Sequence, residues 1–238
     1  MSDSEDEVQS RTVKITVVGE PSTGKTSLCL RYLGGTYGAA PGGTQGAEVM
    51  AGQCLGLRPP VPLQFCDVSG NALGTNMLAN YLYASDVVVF VYDLTNLQSF
   101  ERLHMWFEKV KDVCESEVKK PLMVLFGNKS DLEHQRAVRL SVVQQFASEH
   151  LLENHKGSAR TGDMVNNAFT NFVARVLGVK VRRMPAATNG KSPVSKDPAL
   201  NGHMSYPLQT EPTQSLIMNR KALRKLQRKA SSSVCCIQ

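Results

Sequence analysis

The sequence predicts an α/β protein built on a doubly wound parallel sheet, with helices on both faces. Three observations carry this. Short, near-continuous apolar runs recur, such as DVVVFVY at residues 86–92 and PLMVLFG at 121–127, and runs of this kind suit strands buried on both faces of a parallel sheet. Between the runs, apolar residues return at three- to four-residue spacing, as amphipathic helices require. The stretches with chemical potential each follow directly on a strand-like run or precede a helical one, where a doubly wound sheet holds its ligand.

The elements follow in order. Val13, Ile15, Val17 and Val18 predict the first strand, and Leu28, Leu30, Tyr32 and Leu33 the first helix. Between them stands GEPSTGKT, residues 19–26, which fits GxxxxGK followed by Ser or Thr in the strand-turn-helix context that this pattern needs. Such a turn aims main-chain N–H groups and a helix N-terminus at one point, and that point binds phosphate. Gly19 and Gly24 let the main chain wrap closely around phosphate oxygens. Lys25 supplies a point charge for the β- and γ-phosphates, and the Thr26 hydroxyl is a ligand for Mg²⁺. Pro21, Ser22, Thr23 and Ser27 complete the set around the phosphates.

Residues 34–52 are rich in Gly and Ala with few apolar anchors, and are expected to form one loop that moves unless a ligand orders it. Val61–Val68 predicts the second strand, with Asp67, Ser69, Gly70 and Asn71 at its end. Residues 86–92 predict the third strand. Leu97, Phe100, Leu103, Phe107, Val110 and Cys114 predict one amphipathic helix. Residues 121–127 predict the fourth strand, followed at once by Asn128, Lys129, Ser130 and Asp131. Ser158, Ala159 and Arg160 precede the last helix, marked by Val165, Phe169, Phe172, Val173 and Val176.

At 238 residues the chain has room for one α/β domain and an appendage. Of its 27 basic and 21 acidic residues, 11 and 2 lie after residue 178, so a mildly acidic body carries a strongly basic tail. That asymmetry points to a polyanionic surface as partner, membrane or nucleic acid. Four cysteines (Cys29, Cys54, Cys66, Cys114) stand singly among apolar residues and read as reduced thiols of a cytosolic protein. No apolar run reaches 18 residues and the N-terminus is acidic, so neither a membrane span nor a secretory signal is expected.

The loops GEPSTGKT, DVSGN, NKSD and SAR, in this order and with these gaps, resemble those of the Ras superfamily of small GTPases over residues 13–177. That resemblance implies a mostly parallel six-stranded sheet, a GTP/GDP site and Mg²⁺. Asp131 is the residue that selects the base, since a carboxylate accepts from both N1–H and the N2 amino group of guanine. By itself NKSD is equally a solvated turn; its place after a buried strand and downstream of the phosphate loop favours guanine. By the same resemblance the Lys129 stem lies over the base, Asn128 ties neighbouring loops, and the Ala159 N–H reaches guanine O6. Ser158 and Arg160 complete that loop. Asp67 matches the carboxylate linked to Mg²⁺, Gly70 the glycine whose N–H senses the γ-phosphate, and Tyr37 an aromatic edge beside guanine. Thr44, nineteen residues after Lys25, matches the threonine that closes over Mg²⁺ and γ-phosphate, against the plainer reading of an ordinary loop threonine.

Within the superfamily the chain is similar to Rab proteins. MSDSE at the start, Met77-Leu78 with Tyr81 and Tyr83, VYDLTN with Gln98-Ser99-Phe100, and DLEH at 131–134 resemble the divergent, CaaX-ended Rab twenty-eight subfamily. The chain departs from the family pattern in several places. Asn71 stands where the family has the glutamine that orients the attacking water, and is one methylene short of it. Pro21 stands at a position usually Gly or small, with a fixed φ and no N–H. The catalytic set is therefore Lys25, Gly70 and a weakened Asn71. Cys66 replaces a usual Trp and Arg160 a usual Lys, and the segment around Thr44 lacks the apolar residues that Rab effectors grip.

The division read from the sequence is residues 1–11 as an acidic disordered N-terminus, 12–178 as the GTPase domain, 179–215 as a flexible linker and 216–238 as a polybasic segment ending in a lipidation motif. Arg220, Lys221, Arg224, Lys225, Arg228 and Lys229 repeat at four-residue steps. A helix there offers a basic face to an anionic leaflet; the alternatives are a solvated tail or a nuclear-type signal. The ending CCIQ fits C-a-a-X with prenylation at Cys235, and a lipid beside a polybasic patch is a two-signal anchor. Some Rab proteins carry lipid on two adjacent cysteines, which keeps Cys236 as the less favoured second site.

The reading is a monomeric, lipid-anchored, Rab-like switch on the cytoplasmic face of a membrane, with a cytosolic pool held by a prenyl-binding chaperone. It implies an exchange factor, a GTPase-activating protein and effectors, and no nucleic acid. GTP hydrolysis is expected to be slow. The alternative is a constitutively GTP-bound scaffold. A nucleic-acid-binding ATPase is disfavoured by Asp131 and by the CaaX end.

Overall fold

The computed structural model describes residues 11–35 and 43–179. Six strands form one sheet in the order β2-β3-β1-β4-β5-β6. β1 (Val13–Val18), β3 (Val61–Val68), β4 (Val87–Asp93), β5 (Leu122–Asn128) and β6 (Glu153–Lys156) run parallel, and β2 (Ala47–Cys54) pairs antiparallel with β3. The winding reverses at β1, which has β3 on one side and β4 on the other. A doubly wound sheet opens its ligand crevice at such a reversal.

β4 shows why the sheet is double-faced: all seven of its residues are buried. Val87, Val89 and Val91 join a core with α1 (Lys25–Tyr32) and α6 (Val165–Leu177), while Val88, Phe90 and Tyr92 join a second with α2 (Leu78–Leu82), α4 (Leu103–Glu115) and α5 (Leu140–Glu149). Alternate residues point to opposite faces, so a Val-rich strand feeds both cores at once, each buried side chain contributing about 1.5–3 kcal/mol. Cys29, Cys54, Cys66 and Cys114 are free thiols within these cores. Among the described residues no helix is long and apolar enough to cross a membrane.

Three sequence expectations need correction. Residues 34–52 do not form a single loop, since Ala47–Cys54 is a strand whose eight residues all pair with β3. It is an edge strand, mostly half-buried, and its backbone pairing holds it without a clean apolar alternation. Val61–Val68 is consequently the third strand. The helix expected across residues 97–114 is two helices, α3 (Leu97–Glu101) and α4, joined through Arg102 at φ −73° and ψ −13°. Asn96 caps α3, its Oδ1 accepting from Ser99 N at 3.3 Å.

The two ends of the sheet differ in chemistry. Where the strands begin, Asp86 accepts from Lys14 N (3.0 Å) and Lys119 Nζ (2.9 Å) and pairs with Arg11. There too Arg175, near the end of α6, pairs with Glu153, the first residue of β6. Among the described residues, those that the sequence assigns to a nucleotide gather at the opposite end, where the parallel strands finish.

Candidate functional site

The site is built from the loops that leave β1, β3 and β5 and the loop between β6 and α6. At the first, Gly19 (φ +139°) lies so close to β4 that a Cβ would stand 2.2 Å from the Val91 carbonyl oxygen. Gly24 (φ +88°) caps α1, and a Cβ there would stand 2.4 Å from Asn128 Nδ2. Only glycine fits either backbone. Lys25 is 6% exposed, and its ammonium donates to Gly19 O at 2.9 Å and Glu20 O at 2.8 Å. Burial lowers its pKa, with the Asp67 and Glu20 charges opposing that shift. The loop thus folds around its own lysine.

Beside it three oxygen side chains converge. Asp67 is fully buried, and its Oδ2 accepts from Thr26 Oγ1 at 2.5 Å and Thr44 Oγ1 at 3.2 Å, the two hydroxyls lying 3.1 Å apart. Asp67 Oδ1 is buried without a hydrogen-bond partner among the described residues. Burial pushes the Asp67 carboxyl above its ordinary value, opposed by the Thr26 hydroxyl, the Lys25 charge and the Thr44 hydroxyl. A buried carboxylate oxygen left unpaired is costly. One carboxylate beside two hydroxyls is an all-oxygen donor set, the kind that Mg²⁺ takes together with phosphate oxygens. No group of three or more His, Cys, Asp or Glu residues suited to a metal occurs among the described residues.

The loop after β3 lies against the phosphate loop. A Cβ at Gly70 would stand 2.3 Å from Pro21 N and 2.6 Å from Pro21 Cα. Ser69 N donates to Gly46 O at 2.8 Å, joining the segment after Thr44 to this loop. Asn71 is exposed, and its main-chain N–H donates to Ser69 Oγ at 3.3 Å.

The far end is a cavity of about 90 Å³ lined by Gly24, Ser27, Lys129, Asp131, Ala159 and Arg160, with Asn128 and Leu132. Asn128 Nδ2 donates to Thr23 O at 2.8 Å, so it does tie neighbouring loops. Its Oδ1 accepts from Ala159 N at 3.0 Å, which ties the loop before α6 to the loop after β5. Asp131 Oδ1 accepts from Ser158 Oγ at 2.5 Å, and Asp131 Oδ2 lies 3.9 Å from Arg160 Nη1. Lys129 (φ +66°) donates from Nζ to Ser22 O at 3.0 Å and pairs with Asp93 Oδ2 at 2.7 Å, its stem lining the cavity. A larger cavity, about 560 Å³, lies between α3, α4 and α5 and contains none of these groups.

Tyr37, the 1–10 part of the N-terminus, and residues 180–238 with Cys235 and Cys236 lie outside the described residues. Two residues at the site went unread in the sequence. Arg31, at the end of α1, donates from Nε to Ala159 O at 2.8 Å and from Nη2 to Arg160 O at 2.5 Å; nothing in the sequence separates it from a solvated helix charge. Glu20 had a signal, an acid inside a phosphate loop, where a negative charge needs a partner.

Comparison with known proteins fits this geometry. The Ras family model matches residues 14–178. The Ras-related protein Rab-28 of Caenorhabditis elegans is 33% identical over 183 residues, covering 76% of this chain and 74% of that protein. The Ras-related protein Rab-1 of Theileria parva is 30% identical over 194 residues, 79% of this chain and 86% of the relative. The GTP-binding protein ypt4 of Schizosaccharomyces pombe is 30% identical over 171 residues, 69% of this chain and 71% of the relative.

Proposed function

The chain belongs to the Ras family as a Rab-type small GTPase, and on that premise we propose that it is a membrane-anchored switch in membrane traffic whose GTP hydrolysis is slow. The observation that carries the switch is the meeting of Thr26, Thr44 and Asp67. It draws the loop around Thr44 and the start of α1 to the same buried carboxylate, and the bond from Ser69 N to Gly46 O joins that loop to the one after β3, so a ligand there biases both loops together.

In this reading the phosphate-loop amides and Lys25 take the β- and γ-phosphates, and Gly70 N–H meets the γ-phosphate. Thr26, Thr44 and Asp67 hold Mg²⁺. When bound, Mg²⁺ supplies charge neutralisation on the phosphates. Asp131 accepts from guanine, with Ser158, Arg160, Lys129 and Asn128 shaping its surroundings. Asn71 positions water from a shorter side chain than the reaction favours, and Pro21 narrows the space beside it, which supports slow turnover. The basic tail and prenylated Cys235 hold the protein on the cytoplasmic face of an anionic membrane, a prenyl-binding chaperone carries the soluble pool, and an exchange factor, a GTPase-activating protein and effectors act on the monomer.

A second reading, a constitutively GTP-bound scaffold, is favoured by the close seat of Gly70 on Pro21. Single turnover of GTP-loaded full-length protein with Mg²⁺, wild type beside Asn71→Gln, separates the two. The switch reading expects wild type to hold GTP and release phosphate slowly, with Asn71→Gln faster by about tenfold to a hundredfold. GTP held by both with phosphate released by neither selects the scaffold. Failure of wild type to hold GTP overturns the guanine assignment.

A further inference from the structure

Glu20 sits inside the loop that wraps phosphate, where its charge would repel the anion. Its carboxylate is turned away. Oε1 accepts the indole N–H of Trp106 at 2.9 Å, and Oε2 pairs with Arg102 Nε at 2.9 Å. Trp106 is fully buried in α4, so that N–H has no recourse to water, and Arg102 is the residue that joins α3 to α4. The main chain of Glu20 is equally engaged, its carbonyl accepting from Lys25 Nζ at 2.8 Å and Thr23 Oγ1 at 2.9 Å. One residue therefore fastens the phosphate loop to α4 with its side chain and gathers the loop with its backbone. The next residue, Pro21, is the surface on which Gly70 rests.

We propose that Glu20, held by Trp106 and Arg102, is a positioning residue that fixes the height of the phosphate loop, so that binding of the β-phosphate depends on α4. This rests on the nucleotide reading above. The carboxylate does not touch the nucleotide. It removes one soft degree of freedom from the loop, and the chain directs its only tryptophan to that task. A loop held in its binding shape loses less freedom when phosphate arrives.

The test compares affinity for GDP and for GMP, each with Mg²⁺, by competition against a fluorescent guanine diphosphate on the full-length chain. Trp106→Phe keeps an aromatic ring in the core and removes the donor. Glu20→Gln keeps an acceptor for the indole and removes the charge facing Arg102. Glu20→Ala removes both contacts. For Trp106→Phe the expected result is an affinity for GDP lowered about tenfold, the loss of one charge-assisted hydrogen bond, and for Glu20→Ala, which loses both contacts, a fall at least as large, with GMP affinity in each held within about twofold. Glu20→Gln is expected to fall between them and wild type. A GDP-to-GMP ratio equal to wild type in both Glu20 variants, whatever their thermal midpoints, overturns the proposal and leaves the contacts as fold stabilisers. Wild type that binds neither nucleotide overturns the nucleotide reading and the proposal with it.

Discussion

At the scale of single residues the site separates into groups whose type fixes their chemistry and groups whose surroundings do. Asp131 is of the first kind. Replacing it with Asn exchanges one accepting oxygen for a donor, which opposes the N2 amino group of guanine and suits the C2 carbonyl of xanthine. Asp131→Asn is expected to lower GTP affinity on the order of 10⁴-fold and to raise that for xanthosine triphosphate, read by competition binding. Gly70 is of the second kind. In Gly70→Ala the new methyl meets main-chain atoms of Pro21 at 2.3 and 2.6 Å, and backbone cannot swing aside as a side chain can. The two loops must part, at a cost of about 1–3 kcal/mol, and the expected result is weaker GTP binding with GDP less affected, measured by the same competition. The place of Asp131 after a buried strand was legible in the sequence, whereas its role toward guanine was an expectation that needed the phosphate loop upstream and the family resemblance. Glu20 and Arg31 were not read, because their partners Trp106, Arg102 and the Ala159 and Arg160 carbonyls are distant in the chain.

At the scale of elements, α1 spans the site. It opens on Lys25 and Thr26 at the phosphate end and closes near Arg31, whose two bonds hold the turn bearing Ala159 and Arg160. Arg31→Ala frees that turn. GDP dissociation is expected to quicken about tenfold, the equivalent of one hydrogen bond to a charged donor. Arg31→Lys restores part of the effect, because an ammonium lacks the fork that reaches two carbonyls; displacement of a fluorescent GDP reads both rates. The buried strands β1, β3, β4 and β5 could be read from their apolar runs alone. The edge strands could not. β6 is Glu-Asn-His-Lys, four polar residues paired along β5, and β2 carries its apolar residues without a clean alternation, so both answer to backbone pairing rather than to a hydrophobic pattern. Six strands were expected only through the family resemblance.

At the scale of the whole molecule, one sheet keeps two cores apart and gathers the chemistry at a single end. Lys25, Thr26, Thr44, Asp67 and Asp131 all lie in the chain ahead of the tail, so loss of the tail is expected to leave nucleotide binding intact. Cys235→Ser is expected to abolish stable attachment to anionic vesicles after incubation with a farnesyl donor and prenyltransferase, while GDP affinity stays within about twofold of wild type; co-sedimentation with the vesicles and competition binding check the two halves. The pairing of Arg175 with Glu153 puts the end of α6 at the pole where the strands begin. Thirteen residues of helix, about 20 Å, separate that end from the turn beside the cavity lined by Asp131 and Ala159. The chain therefore leaves the described domain at the pole opposite the candidate site, and whatever follows residue 179 sets out from the side away from that site's mouth.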